Sequence, residues 1–292
     1  MSAKIFIGSA GSSTGFSTAG NYSPSGAPST GDDWYANQTS VGGVSGSDES
    51  AVTLATLNVP MTMLYAVGDL GTPLKVGATL AYVGAPGNSS RAASGSGRVN
   101  LDFAAIQTNC TIFNSSSTST DTGLEPVRIK GTHASNVLNV EGGRVGVATD
   151  KIGDTATLAT INLSGGATLN LASGVTWTTI NQSDGTLNIN SAGSGTTLTQ
   201  TSGTANTLGN YLLATMSISG TANIGHRKSS GNSITTLNLY RGGVADFSSS
   251  GTAIAVGTIN VYGDCTIRTF GANRNHLSWT TLNIVAGTVK FQ

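Results

Sequence analysis

A short line recurs through the second half of the chain: Thr, an aliphatic residue, Asn, an aliphatic residue, a glycine turn, and another alternating stretch. TTLNLYRGGVADF (235–247) is one copy, GTINVYGDCTIRTF (257–270) the next, and TTLNIVAGTVKFQ (280–292) another. Aligned on the Asn, clear copies sit at Asn139, Asn162, Asn181, Asn238, Asn260 and Asn283, with Thr199 and Ser217 in the same position of two weaker ones. The intervals are 23, 19, 18, 18, 21, 22 and 23 residues. Self-similarity at this period marks a solenoid.

The alternation inside each copy decides which solenoid. Ile161 and Leu163 face one way and Thr160 and Asn162 the other; Leu169 and Leu171 repeat the scheme after Gly165–Gly166. Period two is the signature of strands with one buried face, and no sustained helical period competes with it. The reading is all-β: a parallel β-helix (β-solenoid) of about eight coils of 18–23 residues, over 131–292. A less regular β region over 51–130, containing its first coils or continuous with them, precedes it. An N-terminal arm or capping segment occupies 1–50.

Outward positions also align between coils. After the glycine turn a second column reads Asn170, Asn188, Asn206, Asn223, Asp246, Arg268, Lys290, with small gaps allowed. Stacked amides hydrogen-bond to the coils above and below, so both columns are expected as structural ladders. Asp246 and Arg268 are expected side by side as an opposite-charge pair.

Chemistry is sparse. Only 10% of the 292 residues are charged, 14 basic against 14 acidic, which gives no electrostatic footprint for nucleic acid. No run approaches the length of a membrane span, and the start holds no signal-peptide core. Asp32–Asp33 and Asp150/Asp154 read as turn residues, and Asp48–Glu49 as a polar loop pair. His133, His226 and His276 lie in different coils without metal-ligand spacing. His226-Arg227-Lys228 forms the one basic cluster. Cys110 and Cys265 read as two isolated buried thiols, with one long-range disulfide as the alternative. No catalytic residue, cofactor site or metal site is expected, and no partner of nucleic-acid or membrane type.

The front holds NYSPSGAPSTGDDWYAN (21–37). Its two prolines, acidic turn and aromatics suit an ordered capping or docking segment, with Tyr22, Pro24, Pro28, Asp32, Asp33, Trp34 and Tyr35 as the candidate docking residues. A terminal coil otherwise exposes its core and an unpaired edge. The front could cap one end; the last coil, ending at Val289-Lys290-Phe291, has no cap and is expected to meet a sister subunit or a larger assembly.

This opening line, followed by coils of the TINLSGGATLNL kind, resembles bacteriophage virion proteins that begin with an Asn-aromatic-Ser, Pro and Gly-Asp line and continue as a β-helix. The likeness covers about 20–36 and about 130–292. Such proteins include head decoration (cement) proteins and fibre or spike proteins, typically homotrimers. The resemblance implies a non-enzymatic decoration protein on the capsid exterior, made in the host cytoplasm, that contacts itself and the major capsid protein. A tail fibre or tailspike component binding host glycan, and a polysaccharide lyase or hydrolase of β-helix fold, are the alternatives. Bacterial adhesins share Asn-rich coils but carry export signals.

Overall fold

The structure is a computed structural model, and it describes residues 2–8, 15–36, 43–60, 66–69, 71–84, 99–113, 125–190, 195–209, 211–225, 233–250, 253–269 and 277–292. These residues form strands throughout, with a single 3-10 turn at Ala19–Asn21 and no α-helix among them. None of their helices is long and apolar enough to cross a membrane. The chain divides into two compact units, Met1–Ala159 and Thr160–Gln292. The boundaries drawn from sequence at 50 and 130 fall inside the first.

In the first unit, β1 (Ala3–Phe6) pairs antiparallel with the two-residue β2 (Tyr22–Ser23) and parallel with β3 (Asp33–Ala36). Parallel stacking then runs through β4 (Asp48–Val59), β5 (Leu74–Val83), β7 (Asn109–Phe113) and β9 (Val137–Gly142). The rungs align Trp34, Leu57, Ala81, Cys110 and Leu138 as one inward column. A second wall is built from β6 (Val99–Asp102), β8 (Val127–Lys130) and β10 (Arg144–Val147), again in parallel. Isolated bridges extend its inner row back to Val67 and Val44, so Val44, Val67, Val99, Val127 and Val145 form one buried column. Parallel coil pairing is therefore present among the described residues of the region that the sequence reads as irregular β.

The second unit takes residues 160–163 from β11 (Ala156–Leu163) and stacks two walls. One holds β13 (Val175–Gln182), β15 (Gly195–Gln200), β17 (Leu213–Ile218), β19 (Ile234–Leu239), β21 (Ile254–Tyr262) and β23 (Leu277–Ala286). The other holds β12 (Thr168–Leu171), β14 (Thr186–Ile189), β16 (Thr204–Thr207), β18 (Thr221–Ile224), β20 (Val244–Asp246), β22 (Cys265–Arg268) and β24 (Val289–Phe291). This is the parallel β-helix that the two-residue period predicts. Its interior stacks Ile180, Leu198, Met216, Leu237 and Ile259 along one wall and Leu169, Leu187, Ala205, Ala222, Ala245 and Ile267 along the other. Burying a large aliphatic side chain contributes about 1.5–3 kcal/mol, so these columns are the main stabilising term.

Corners between walls need backbone that L side chains rarely adopt. Gly185 and Gly203 have φ of +79° and +81°, and a Cβ on either would strike backbone of the preceding coil. Beside them sit two polar residues in the interior row. Gln182 and Gln200 are buried, and each Nε2 donates to two carbonyls: Gly185 and Thr204 at 2.9 and 3.0 Å, Gly203 and Thr221 at 3.0 and 2.9 Å. Each adds a side-chain bond to a corner carbonyl, Gly185 O or Gly203 O, that also accepts a backbone amide from the next coil.

Candidate functional site: ladders, front segment and a buried charge cluster

Both ladders are present. In the second column Asn223 donates to Asn206 (2.6 Å), Asn206 to Asn188 (2.7 Å) and Asn188 to Asn170 (2.7 Å). The amides all point one way along the stack, an arrangement in which each bond polarises the next. In the first column Asn181 donates to Asn162 (2.9 Å), Asn260 to Asn238 (3.0 Å) and Asn283 to Asn260 (2.9 Å). Asn238 donates to Ser217 Oγ at 3.2 Å, and Asn139 in the first unit to Thr111 Oγ1 at 3.3 Å. Two residues before this column stand Thr179, Thr197, Thr215, Thr236, Thr258 and Thr281, in unbroken register.

Asp246 and Arg268 face each other across β20 and β22, with Arg268 Nη1 3.2 Å from Asp246 Oδ2. Burial pushes the Asp246 carboxyl up, but bonds from Ser248 N and Oγ and from Arg268 outweigh it and hold the group below the usual carboxylate range. The column does not continue at Lys290, which aligns with Thr266 instead. A bulge at Val261/Tyr262 inserts Val285 into the last coil, and Gln292 becomes the residue that meets Arg268, accepting from its Nε at 3.4 Å. An extra residue in a bulge moves every later position by one.

The front segment is mostly interior. Trp34 and Tyr22 are buried, and with Phe6 and Phe16 they form an aromatic cluster with centroids 5.6–6.4 Å apart. Tyr22 donates its hydroxyl to the Phe16 carbonyl at 2.6 Å and accepts from Trp34 Nε1 at 3.3 Å; burial raises its pKa above the usual tyrosine value. Asp32 is also buried and accepts from Ser2 N, Ser29 N and Ser29 Oγ at 2.9, 3.1 and 2.8 Å, which holds its carboxyl below the ordinary range despite burial. Pro28 is buried and Asp33 half-buried, which leaves Pro24 and Tyr35 as the exposed members of the seven candidates. The segment is thus a small core closing the start of the first unit, with β2 covering the outer edge of β1.

Sequence reasoning missed a cluster of charges on the outer side of β6 and β8. Alternation would place Asn100 and Arg128 in solvent, yet both are buried, because Gly68, Gly71, Pro73 and the turn at 148–154 lie over that face. Arg128, 1% exposed, pairs through Nε with Glu125 (3.3 Å) and through Nη1 with Asp150 (3.4 Å). Asp150 also accepts from the Gly71 amide at 2.7 Å, and Lys130 pairs with Asp154 at 2.8 Å. Thr149 Oγ1 donates to Glu125 at 3.1 Å, and a Cβ on Gly146 would collide with both partners. Asp150 and Asp154 do form a turn, as expected, but as the acidic half of this cluster. The signal lay in five charges of both signs, Glu125, Arg128, Lys130, Asp150 and Asp154, within 30 residues of a chain otherwise poor in charge. A guanidinium this deeply enclosed offers a substrate no approach.

Nothing among the known protein families, curated proteins or solved structures matches this chain.

Other candidates can be placed. His133 accepts from the Ser135 amide at 3.1 Å through Nδ1, a local turn bond. His226-Arg227-Lys228 and His276 lie outside the described residues. Among the described residues no group of three or more His, Cys, Asp and Glu could hold a metal ion. Cys110 and Cys265 are both free and buried, and burial pushes the Cys110 thiol up to about 12. Trp177 is buried against Tyr211, whereas Trp279 is exposed and stacks on Phe291 at 5.8 Å. Tyr240 and Tyr262, on adjacent coils, are exposed and stacked at 5.1 Å. In the first unit Ile5, Tyr35, Asn58, Tyr82, Thr111 and Asn139 form one outward column, in which Ile5, Tyr35 and Tyr82 are exposed.

Proposed function

We propose that the chain is a bacteriophage capsid decoration (cement) protein that stabilises the head by bridging neighbouring major capsid subunits, as a homotrimer on the capsid exterior. The observation that carries this reading is where the side-chain chemistry goes: amides bond to amides, and the largest cluster of charges is enclosed and internally paired. The large apolar side chains that remain exposed include two groups, the Ile5–Tyr35–Tyr82 column with neighbouring Leu80 and the last coil with Trp279, Ile284, Val285 and Phe291, besides the stacked Tyr240 and Tyr262 and the separate Ile152 and Leu208. Such groups suit contact with other protein, and a specific contact needs roughly 1,200–2,000 Å² of buried surface. The resemblance of the opening line and coils to virion proteins supplies the particle.

The test uses heads assembled without this protein. Added purified protein should bind them at many copies per particle and raise the temperature at which they release DNA; heads that bind none would end the cement reading. A second reading, a tail component that binds host glycan, draws on Tyr35 and Tyr82, which flank Asn58 on successive coils. Binding to host polysaccharide but not to heads would favour it.

A further inference from the structure

Under the chain that covers β6 and β8, three buried polar atoms have no protein partner: Arg128 Nη2, Asn100 Nδ2 and Asp154 Oδ2. The rest of each group is engaged. Arg128 commits Nε to Glu125 and Nη1 to Asp150 and to Asn100 Oδ1, the last at 3.5 Å. That bond fixes which end of the Asn100 amide is acceptor, so Nδ2 is a true donor. Asp154 Oδ1 takes Lys130 Nζ at 2.8 Å, which leaves Oδ2. All three residues line the same small cavity, together with Lys130 and Asp150.

We propose that this cavity is a binding site for one ordered water molecule, which accepts from Arg128 Nη2 and Asn100 Nδ2 and donates to Asp154 Oδ2. Counting donors and acceptors selects the ligand. The residues that line the space carry two unpartnered donors and one unpartnered acceptor, and water offers two lone pairs and two protons. Buried waters typically make about three such bonds, to groups that are costly to leave bare. The charges agree: the lining carries Arg128 and Lys130 against Asp150 and Asp154, which balance and favour a neutral guest. A halide would accept from both donors but would face the Asp154 oxygen. A metal cation would gain that oxygen and meet a guanidinium. The water completes the bonding of the charge cluster and ties the 148–154 turn to β6 and β8.

A crystal structure fine enough to show ordered solvent should have a peak within about 2.7–3.2 Å of all three atoms. Crystals soaked in bromide should give no anomalous peak there. A dry cavity, or a bromide peak, overturns the proposal. In solution, oxygen-17 relaxation dispersion should count one fewer long-lived water in Asn100→Leu than in the wild type, with the circular dichroism spectrum unchanged. An equal count in the two proteins also overturns it, and the wild-type crystal measurement stands if the variant does not fold.

Discussion

Asn188 is the residue on which the ladder argument can be tried most directly, since it donates to Asn170 and accepts from Asn206 at 2.7 Å each. Removing its amide takes one bond from each of two half-buried partners, so Asn188→Ala should lose about 1–3 kcal/mol in denaturant unfolding. Asn283→Ala breaks one bond, in an exposed setting, and should lose visibly less. Equal losses would mean that the ladder bonds add nothing beyond strand propensity. The Asp246–Arg268 pair occupies the same kind of position with charge, but half of Arg268 is in solvent, where such pairs contribute about 0–1 kcal/mol. Asp32 gives a pH-dependent test. Its carboxyl is held below the ordinary value of 3.8, by the Ser2 amide first, against burial, and then by Ser29. A depressed folded-state pKa stabilises the protein above the unfolded value, and the contribution fades as pH falls through the folded one. Wild-type melting temperature should therefore drop more steeply than that of Asp32→Asn below about pH 4. Parallel curves for the two proteins would show that Asp32 adds no pH-linked stability.

At the scale of an element, β8 is the informative strand. Its inner residues, Val127 and Ile129, belong to apolar columns, while its outer residues, Arg128 and Lys130, carry the charge cluster. Both faces are covered, so the strand reads as alternating but behaves as interior. Arg128→Ala would take the guanidinium away from two buried carboxylates, Glu125 and Asp150, at a cost of about 3–5 kcal/mol. The triple change of Arg128 to Met, Glu125 to Gln and Asp150 to Asn removes the charges together and should recover most of that loss in urea titrations. A triple variant no more stable than Arg128→Ala would assign the role of these side chains to shape rather than charge. The glycine at Gly195 illustrates the same dependence on covering groups: a Cβ there would run into the Trp177 ring. Overpacking of this kind typically costs about 1–3 kcal/mol.

For the whole molecule, the small number of charges has a measurable consequence. Ladder bonds between neutral amides are not screened by salt, and enclosed ion pairs are screened little. Raising sodium chloride from about 0.05 to about 0.5 M should shift the melting temperature by less than about 2 °C, since exposed pairs such as Lys75–Asp48 contribute little. A fall several times larger would mean that surface ion pairs matter more than the ladders. A coil stack held this way is also a sum of near-neighbour contacts, so its outward side chains can vary without disturbing the core.

Period-two alternation and a recurrence of 18–23 residues were enough to determine the parallel β-helix, its inward columns and the Asn ladders, because both are local rules repeated at a fixed spacing. The Asp246–Arg268 contact followed from the same register. Lys290 was misplaced by two positions, because the alignment allowed a one-residue gap where the last coil carries a one-residue bulge. The enclosure of Asn100 and Arg128, the packing of Tyr22 and Trp34 into a core rather than onto a surface, and the two interior glutamines were decided only in three dimensions. Each depends on which distant segment comes to lie over a strand face or a corner. A pattern of inward and outward positions fixes the side of the sheet but carries no information on whether that side is then covered.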